Sequence, residues 1–126
     1  MRVLVCGDRK WTDQNLIEGW LSFLLDNHPE GIVVIEGEAP GADVCAREVA
    51  KKLRLSFKPF PAKWEIYGNA AGPIRNKKML VEGKPDLVLA FHDDLVHSRG
   101  TKNMIKQADE AGVKVKVVTH KDKLVK

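Results

Sequence analysis

Short apolar runs alternate along the chain with segments whose apolar residues recur at helical spacing. The runs have the length and composition of β-strands, and they are Val3–Cys6, Ile32–Ile35, Leu55–Pro61, Leu87–Phe91 and Val113–Val118. Helices are predicted between them: one capped by Thr12 or Asp13, one along residues 45–53, one opening at Pro73, and one along residues 104–108 that ends near Gly112. Strand alternating with helix favours a parallel sheet covered by helices on both faces.

The composition of each run predicts its place in the sheet. Unbroken apolar runs are typical of strands buried on both faces, and the first, second and fourth runs are of this kind. The third run carries Pro59 and Pro61, and the fifth alternates with Lys114 and Lys116, so both are predicted edges. With right-handed crossovers, the simplest strand order is 3-2-1-4-5. The prediction is a single three-layer, Rossmann-like α/β domain over residues 1–126, with a mainly parallel five-stranded sheet.

This strand order also predicts which loops form a site. The chain reverses direction between strands one and four, and ligands of open α/β sheets bind beyond the carboxyl ends of the strands at such a switch point. The loops concerned are Gly7–Trp11 after the first strand, Glu36–Asp43 after the second and His92–Thr101 after the fourth. All three are rich in glycine or polar residues, which suits binding.

Two of these loops open a helix with glycine, at Gly37 and Gly41 and again at Gly100. Unpaired N–H groups and the helix dipole favour a phosphate at such an opening. In the second opening, Arg99 is a candidate phosphate clamp and Thr101 a helix cap or phosphate donor. In the first, Asp43 is either a cap or first-turn acid, or a partner of ribose hydroxyls.

The segment Asn69–Asn76 places Arg75 near a predicted helix N-terminus, where its charge opposes the helix dipole. Such a local conflict indicates a functional role.

Trp11 and Trp64 are left with two interpretations, stacking on a base or covering the sheet edge. The polar residues of 92–97 lack regular metal-ligand spacing, so no metal is predicted.

Composition narrows the class of protein. Hydrophobic residues make up 44% of the 126 residues, which predicts a packed domain rather than a disordered chain. Cys6 and Cys45 lie in core patterns, and no signal-peptide shape or membrane-spanning run is seen, so a cytoplasmic protein is expected. The net charge of +4 is compatible with an anionic ligand or nucleic acid.

The chain resembles the SLOG superfamily, which includes the Lonely Guy phosphoribohydrolases and DprA, and it is most similar to the small, bacterial or phage YspA-like branch. The resemblance covers nearly the whole chain and rests on Val5–Arg9, Glu36–Asp43, Gly72–Met79, and Ala90-Phe91 followed by Arg99–Thr101. It implies a Rossmann-like fold and a nucleotide-derived ligand held by the Gly-Thr motif and the Arg-Asn helix. A homo-oligomer, dimer or higher, is expected as well.

One departure bears on activity. The phosphoribohydrolases have a glutamate two residues after the Gly-Thr threonine, and here that position is Asn103. An amide cannot act as a general acid or base. The first hypothesis is therefore binding of a nucleotide or nucleotide-derived ligand by a sensor, carrier or sequestering protein. The alternatives are a nucleotide N-glycosidase and a DprA-like single-strand DNA binder.

For the N-glycosidase, the candidate catalytic residues are Arg75, Asn103 and Asp43, and Glu38 or Asp94 is a further source of a carboxylate. The expected partner is a small phosphorylated, nucleotide-like ligand, with no other cofactor, no membrane and nucleic acid only as the third hypothesis. The predicted ligand-binding residues are Gly7, Asp8, Arg9, Gly37, Glu38, Gly41, Ala42, Asp43, Gly72, Arg75, Asn76, Ser98, Arg99, Gly100 and Thr101.

Overall fold

A computed structural model describes residues 1–121, so residues 122–126 of the predicted domain lie outside the described part. It contains one five-stranded sheet in the order β3-β2-β1-β4-β5, in which all neighbours are parallel. The strands are β1 (Arg2–Gly7), β2 (Val33–Glu36), β3 (Ser56–Pro59), β4 (Leu87–Phe91) and β5 (Lys114–Val118). The predicted order and both predicted edge strands are confirmed.

The helices are α1 (Gln14–Asp26), α2 (Ala42–Lys52), α3 (Trp64–Tyr67), α4 (Ala71–Gly83) and α5 (Arg99–Glu110), with 3₁₀ turns at Gly68–Ala70 and Leu95–His97. The sequence did not predict α3, because one helical turn is too short to show a periodicity. It placed the start of α4 at Pro73, which was wrong, since the helix begins at Ala71. Proline is tolerated there because the first-turn N–H groups have no partner inside a helix.

Helices on both faces of the sheet create two cores. Along β1, Val3 and Val5 point towards α1 and α2, whereas Leu4 and Cys6 point towards α4 and α5. All four are buried, which explains why this strand is a continuous apolar run. Phe91, at the end of β4, completes the first core. None of the helices described for residues 1–121 has the length and apolar character needed to cross a membrane.

Three helix starts decide how the loops at the switch point are held. Asp13 rather than Thr12 caps α1, accepting a hydrogen bond from Leu16 N at 3.1 Å. Ser98 caps α5 through a bond from Thr101 N at 3.2 Å, so Thr101 is not the cap. The N-cap of α2 is Gly41, and no side chain caps that helix. The expectation that Asp43 is a cap was therefore wrong, although its alternative as a first-turn acid holds.

Candidate functional site

A cleft of about 660 Å³ opens beyond the carboxyl ends of β1 and β4, between the loop after β1 and the N-terminal halves of α4 and α5. This volume is within the range of small-molecule sites. The structure brings twelve of the candidate residues to its wall: Gly7, Asp8, Arg9, Asp43, Gly72, Arg75, Asn76, Ser98, Arg99, Gly100, Thr101 and Asn103. Their shared location is a finding, and their role in binding stays a prediction.

Arg75 is the most firmly held cation of the cleft. Its Nη1 donates to the carbonyl oxygen of Gly37 at 2.5 Å, and its Nε donates to Asn76 Oδ1 at 3.0 Å. A Cβ on Gly37 would overlap the guanidinium and displace it, so glycine permits the position that Arg75 adopts here. Within residues 1–121, Nη2 has no hydrogen-bond acceptor, so one nitrogen of a fixed fork is available to a ligand.

Arg75 keeps its charge in this half-buried position. Burial lowers the pKa of its guanidinium, and the neighbouring carboxylate of Asp43 opposes that change. An arginine remains protonated in proteins even so. The cleft therefore contains a permanent, partly desolvated positive charge, and such a charge attracts an anion more strongly than a fully solvated one.

Asn76 connects the α4 side of the cleft to α5. Its Nδ2 donates to Asn103 Oδ1 at 3.1 Å and to the carbonyl oxygen of Gly100 at 3.3 Å. Gln107 Nε2 donates to the same Asn103 oxygen at 2.7 Å. The carbonyl oxygen of the Asn103 amide is therefore occupied by two neighbouring amides, and it serves to join the two helices.

Asp43 is a buried carboxylate in the wall of the cleft. Its Oδ2 accepts hydrogen bonds from Gly37 N at 2.8 Å and Ala39 N at 3.3 Å, which fixes the loop after β2. Burial raises the pKa of Asp43 to about 6, while the charge of Arg75 acts in the opposite direction. Asp43 thus stabilises its own loop, and its carboxyl group titrates close to neutral pH.

The N-terminus of α5 forms the opposite wall. A Cβ added to Gly100 would meet nothing within 4 Å, so the backbone here is open to a ligand. Thr101 is buried, yet it lines the cleft, and no hydrogen bond from its hydroxyl to another residue is present within residues 1–121. Arg99 is exposed at the rim. First-turn N–H groups and the helix dipole favour an anion at this wall.

The two tryptophans with open interpretations have different roles. Trp11 is buried and stacks on His120 with ring centroids 4.4 Å apart, so it belongs to the core. Trp64 is 47% exposed and lines the cleft. The guanidinium of Arg9 lies over the Trp64 ring, 5.7 Å from its centroid.

Four predicted binding residues do not line the cleft: Gly37, Glu38, Gly41 and Ala42. Ala42 N donates to the carbonyl oxygen of Asp8 at 3.0 Å, which ties the start of α2 to the loop after β1. Glu38 forms an ion pair with Arg47 at 3.6 Å, and the fully buried Glu36 pairs with the same arginine at 2.7 Å. These residues build the wall behind the cleft.

Several lining residues were not named individually as candidates: Cys6, Ala39, Pro73, Met79, His92, His97 and Met104. Of these, Ala39, His92 and His97 lie in loops that were predicted to form the site. The apolar ones follow ordinary core patterns, so only the fold reveals that they reach the cleft. Burial raises the pKa of the Cys6 thiol, which keeps it protonated. In the part of the chain that is described, no three His, Cys, Asp or Glu side chains are grouped closely enough to hold a metal ion.

Comparison with known proteins gives three results. Residues 1–67 match the model of the YAcAr family, described as the YspA, cpYpsA-related SLOG family. The Gene 61 protein of Mycobacterium phage D29 is 38% identical over 119 residues, which cover 90% of this chain and 93% of that protein. The structure of DNA processing protein A (DprA) from Streptococcus pneumoniae superposes with a TM-score of 0.64 at 17% identity, over 92% of this chain and 49% of that one. This chain thus spans about half the length of that DprA chain, and the likeness concerns the fold alone.

Proposed function

Because this chain belongs to the YspA, cpYpsA-related SLOG family, we propose that it binds a small phosphorylated, nucleotide-derived ligand in the cleft between β1, α4 and α5. The observation that carries the proposal is Arg75, whose guanidinium is fixed by Gly37 and Asn76 while Nη2 has no acceptor within the described residues. A preorganised guanidinium of this kind suits a phosphate, because its free nitrogen is already oriented before the ligand binds.

The other groups of the cleft suit the same ligand. The open backbone at Gly100 and the hydroxyl of Thr101 are available to phosphate oxygens. Arg9 and Arg99 add positive charge at the exposed rim. The carboxylates of Asp8 and Asp43 are acceptors for ribose hydroxyls. In this proposal the protein binds the ligand without converting it, and so acts as a sensor, carrier or sequestering protein.

Isothermal titration calorimetry with AMP, GMP, CMP and UMP tests the proposal. Arg75→Ala removes a charge-assisted contact and should weaken binding by about tenfold or more. Arg54→Ala is the matched control, because it removes an exposed arginine that does not line the cleft. Circular dichroism establishes that each variant is folded. Absence of wild-type binding to all four nucleotides, or equal affinities for wild type and a folded Arg75→Ala, would reject the proposal.

Cleavage of the N-glycosidic bond is the second candidate, and Asp43 is the observation that favours it. A carboxyl group whose pKa is about 6 can exchange a proton near neutral pH. The amide of Asn103 argues against it, since it carries no negative charge and its oxygen is engaged by Asn76 and Gln107. Base release from the same nucleotides, measured for wild type and Asn103→Glu, separates the two candidates. Rapid release by the wild type would make this protein an enzyme.

Single-stranded DNA binding is the third candidate, favoured by the exposed Trp64 beside Arg9 at the rim of the cleft. Aromatic and cationic side chains in combination are typical of such surfaces. Fluorescence anisotropy with labelled oligothymidylate would show binding that weakens steeply with salt if DNA is the ligand. Homo-oligomerisation and a cytoplasmic location stay predictions.

A further inference from the structure

The three tryptophans of the chain lie in three different environments. Trp11 is buried against Phe91 and His120, and Trp20 is partly buried against the first core. Trp64 is half exposed, and of the Trp, Tyr and Phe side chains in residues 1–121 it is the one that lines the cleft. The exposed indole is therefore an aromatic surface of the cleft that is available to a planar apolar group.

The position of Trp64 is set by its surroundings. It begins α3, a four-residue helix that ends at Tyr67 and is followed by Gly68, where φ is +56°. A Cβ on Gly72 would lie 3.4 Å from Trp64 Cη2, so the ring borders the start of α4 at a position that carries no side chain. The indole therefore lies beside the start of α4, the helix that carries Arg75, and both side chains line one cleft.

Arg9 covers part of the ring without being held elsewhere. Its guanidinium lies 5.7 Å from the ring centroid, and no hydrogen bond or ion pair joins its side chain to another of residues 1–121. A cation above an exposed aromatic ring is a weak contact, whereas stacking of a base on an aromatic side chain is a stronger one. A base is therefore expected to take the place of Arg9, which then becomes free to approach the ligand's phosphate.

We propose that Trp64 forms the base subsite of the cleft, so that the ligand is a phosphorylated ribose with an intact planar base rather than a sugar phosphate alone. This inference rests on the proposed function, in which Arg75 and the start of α5 hold the phosphate. The cleft volume of about 660 Å³ leaves room for both parts of such a ligand. Purines should bind more tightly than pyrimidines, because they offer a larger stacking area.

Calorimetry with AMP and ribose 5-phosphate tests the subsite directly. Wild type should bind AMP more tightly than ribose 5-phosphate. Trp64→Leu should weaken AMP binding by about fivefold to a hundredfold and leave ribose 5-phosphate binding unchanged. Trp64→Phe, which keeps a ring, should retain most of the AMP affinity. Tyr67→Leu is the matched control, since Tyr67 is an equally exposed aromatic residue of α3 that does not line the cleft, and it should alter neither ligand.

Arg75→Ala separates this inference from the proposed function, because loss of the phosphate contact should weaken both ligands. Equal affinities of wild type for AMP and ribose 5-phosphate, or equal losses for the two ligands in Trp64→Leu, would overturn the base subsite and leave phosphate binding intact. If the wild type binds neither of these ligands, nor GMP, CMP or UMP, the proposed function fails, and the subsite with it.

Tryptophan fluorescence of the unmodified protein gives a second measurement that no folding defect can affect. AMP should shield Trp64 from acrylamide quenching, and ribose 5-phosphate should not. Unchanged quenching at saturating AMP would also overturn the subsite.

Discussion

The starts of α2 and α5 look alike in sequence and differ in structure. Both starts lie at the same edge of the sheet and contain a glycine, Gly41 as the N-cap of α2 and Gly100 in the first turn of α5, and each has N–H groups that a helix leaves unpaired. At α2 the protein itself fills this space: Ala42 N donates to the carbonyl oxygen of Asp8, and Gly41 packs against the backbone of Asp8 and Arg9. At α5, Ser98 caps the helix and Gly100 faces open space.

The difference shows that a glycine at a helix start can either allow two loops to pack together or leave the helix backbone accessible to a ligand. Gly41 has φ of +79°, and a Cβ there would overlap the carbonyl oxygen of Asp8, so it allows two loops to touch. Gly100 lies under no such constraint and leaves the backbone exposed to the cleft. One helix start therefore stabilises the wall of the cleft, and the other is available to a ligand.

The same substitution should have opposite effects at the two glycines. Gly41→Ala combines an unfavourable backbone conformation with a backbone overlap, and it should lower the free energy of unfolding by about 2–5 kcal/mol. Gly100→Ala meets no atom and favours the helix, so it should leave stability unchanged or raise it by up to about 1 kcal/mol. Urea denaturation of both variants measures the difference. Equal stabilities would show that the two helix starts are not distinct.

Asp43 should make the closed helix start sensitive to pH. Its pKa is about 6 in the folded protein and 3.8 by reference, so between these values the folded state holds a proton that the unfolded state has released. Stability linked to this group is therefore greatest below pH 4 and falls as the pH rises through 6. The corresponding loss in the free energy of unfolding is about 3 kcal/mol, as the size of the pKa shift implies.

Asp43→Asn isolates this contribution, because an amide oxygen still accepts from Gly37 N and Ala39 N but does not ionise. The variant should match wild type at pH 4 and be more stable at pH 7.5. Urea denaturation across this range gives the difference at each pH. A difference that does not vary with pH would contradict the raised pKa.

The smallest effect is expected from the cap of the open helix start. Ser98→Ala removes the bond from Thr101 N and should lower the free energy of unfolding by about 1 kcal/mol. Ser56→Ala, on the exposed edge strand β3, is the control and should change stability by less than about 0.5 kcal/mol. No corresponding cap deletion exists at α2, whose N-cap is Gly41. A Ser98→Ala variant as stable as wild type would show that the cap contributes nothing.

The sequence by itself determined the topology and the family. Runs such as Val3–Cys6 and Leu87–Phe91 contain their own signal, because a strand buried on both faces must be apolar at every position. The prolines of β3 and the lysines of β5 marked the edges, and the strand order followed from them. The resemblance to the YspA-like SLOG branch is confirmed by the family match. The switch point then located the loops that line the cleft.

Only the tertiary structure decided what each residue at the switch point does. Arg75 contacts Gly37, which is 38 positions away, and Asn76 contacts Asn103, 27 positions away. The choice between core and cleft for Trp11 and Trp64 also depends on neighbours far along the chain. Apolar periodicity reports which face of an element is buried, and that property is local. Whether a glycine closes a wall or opens a site depends on which distant backbone lies against it, and no local pattern encodes that contact.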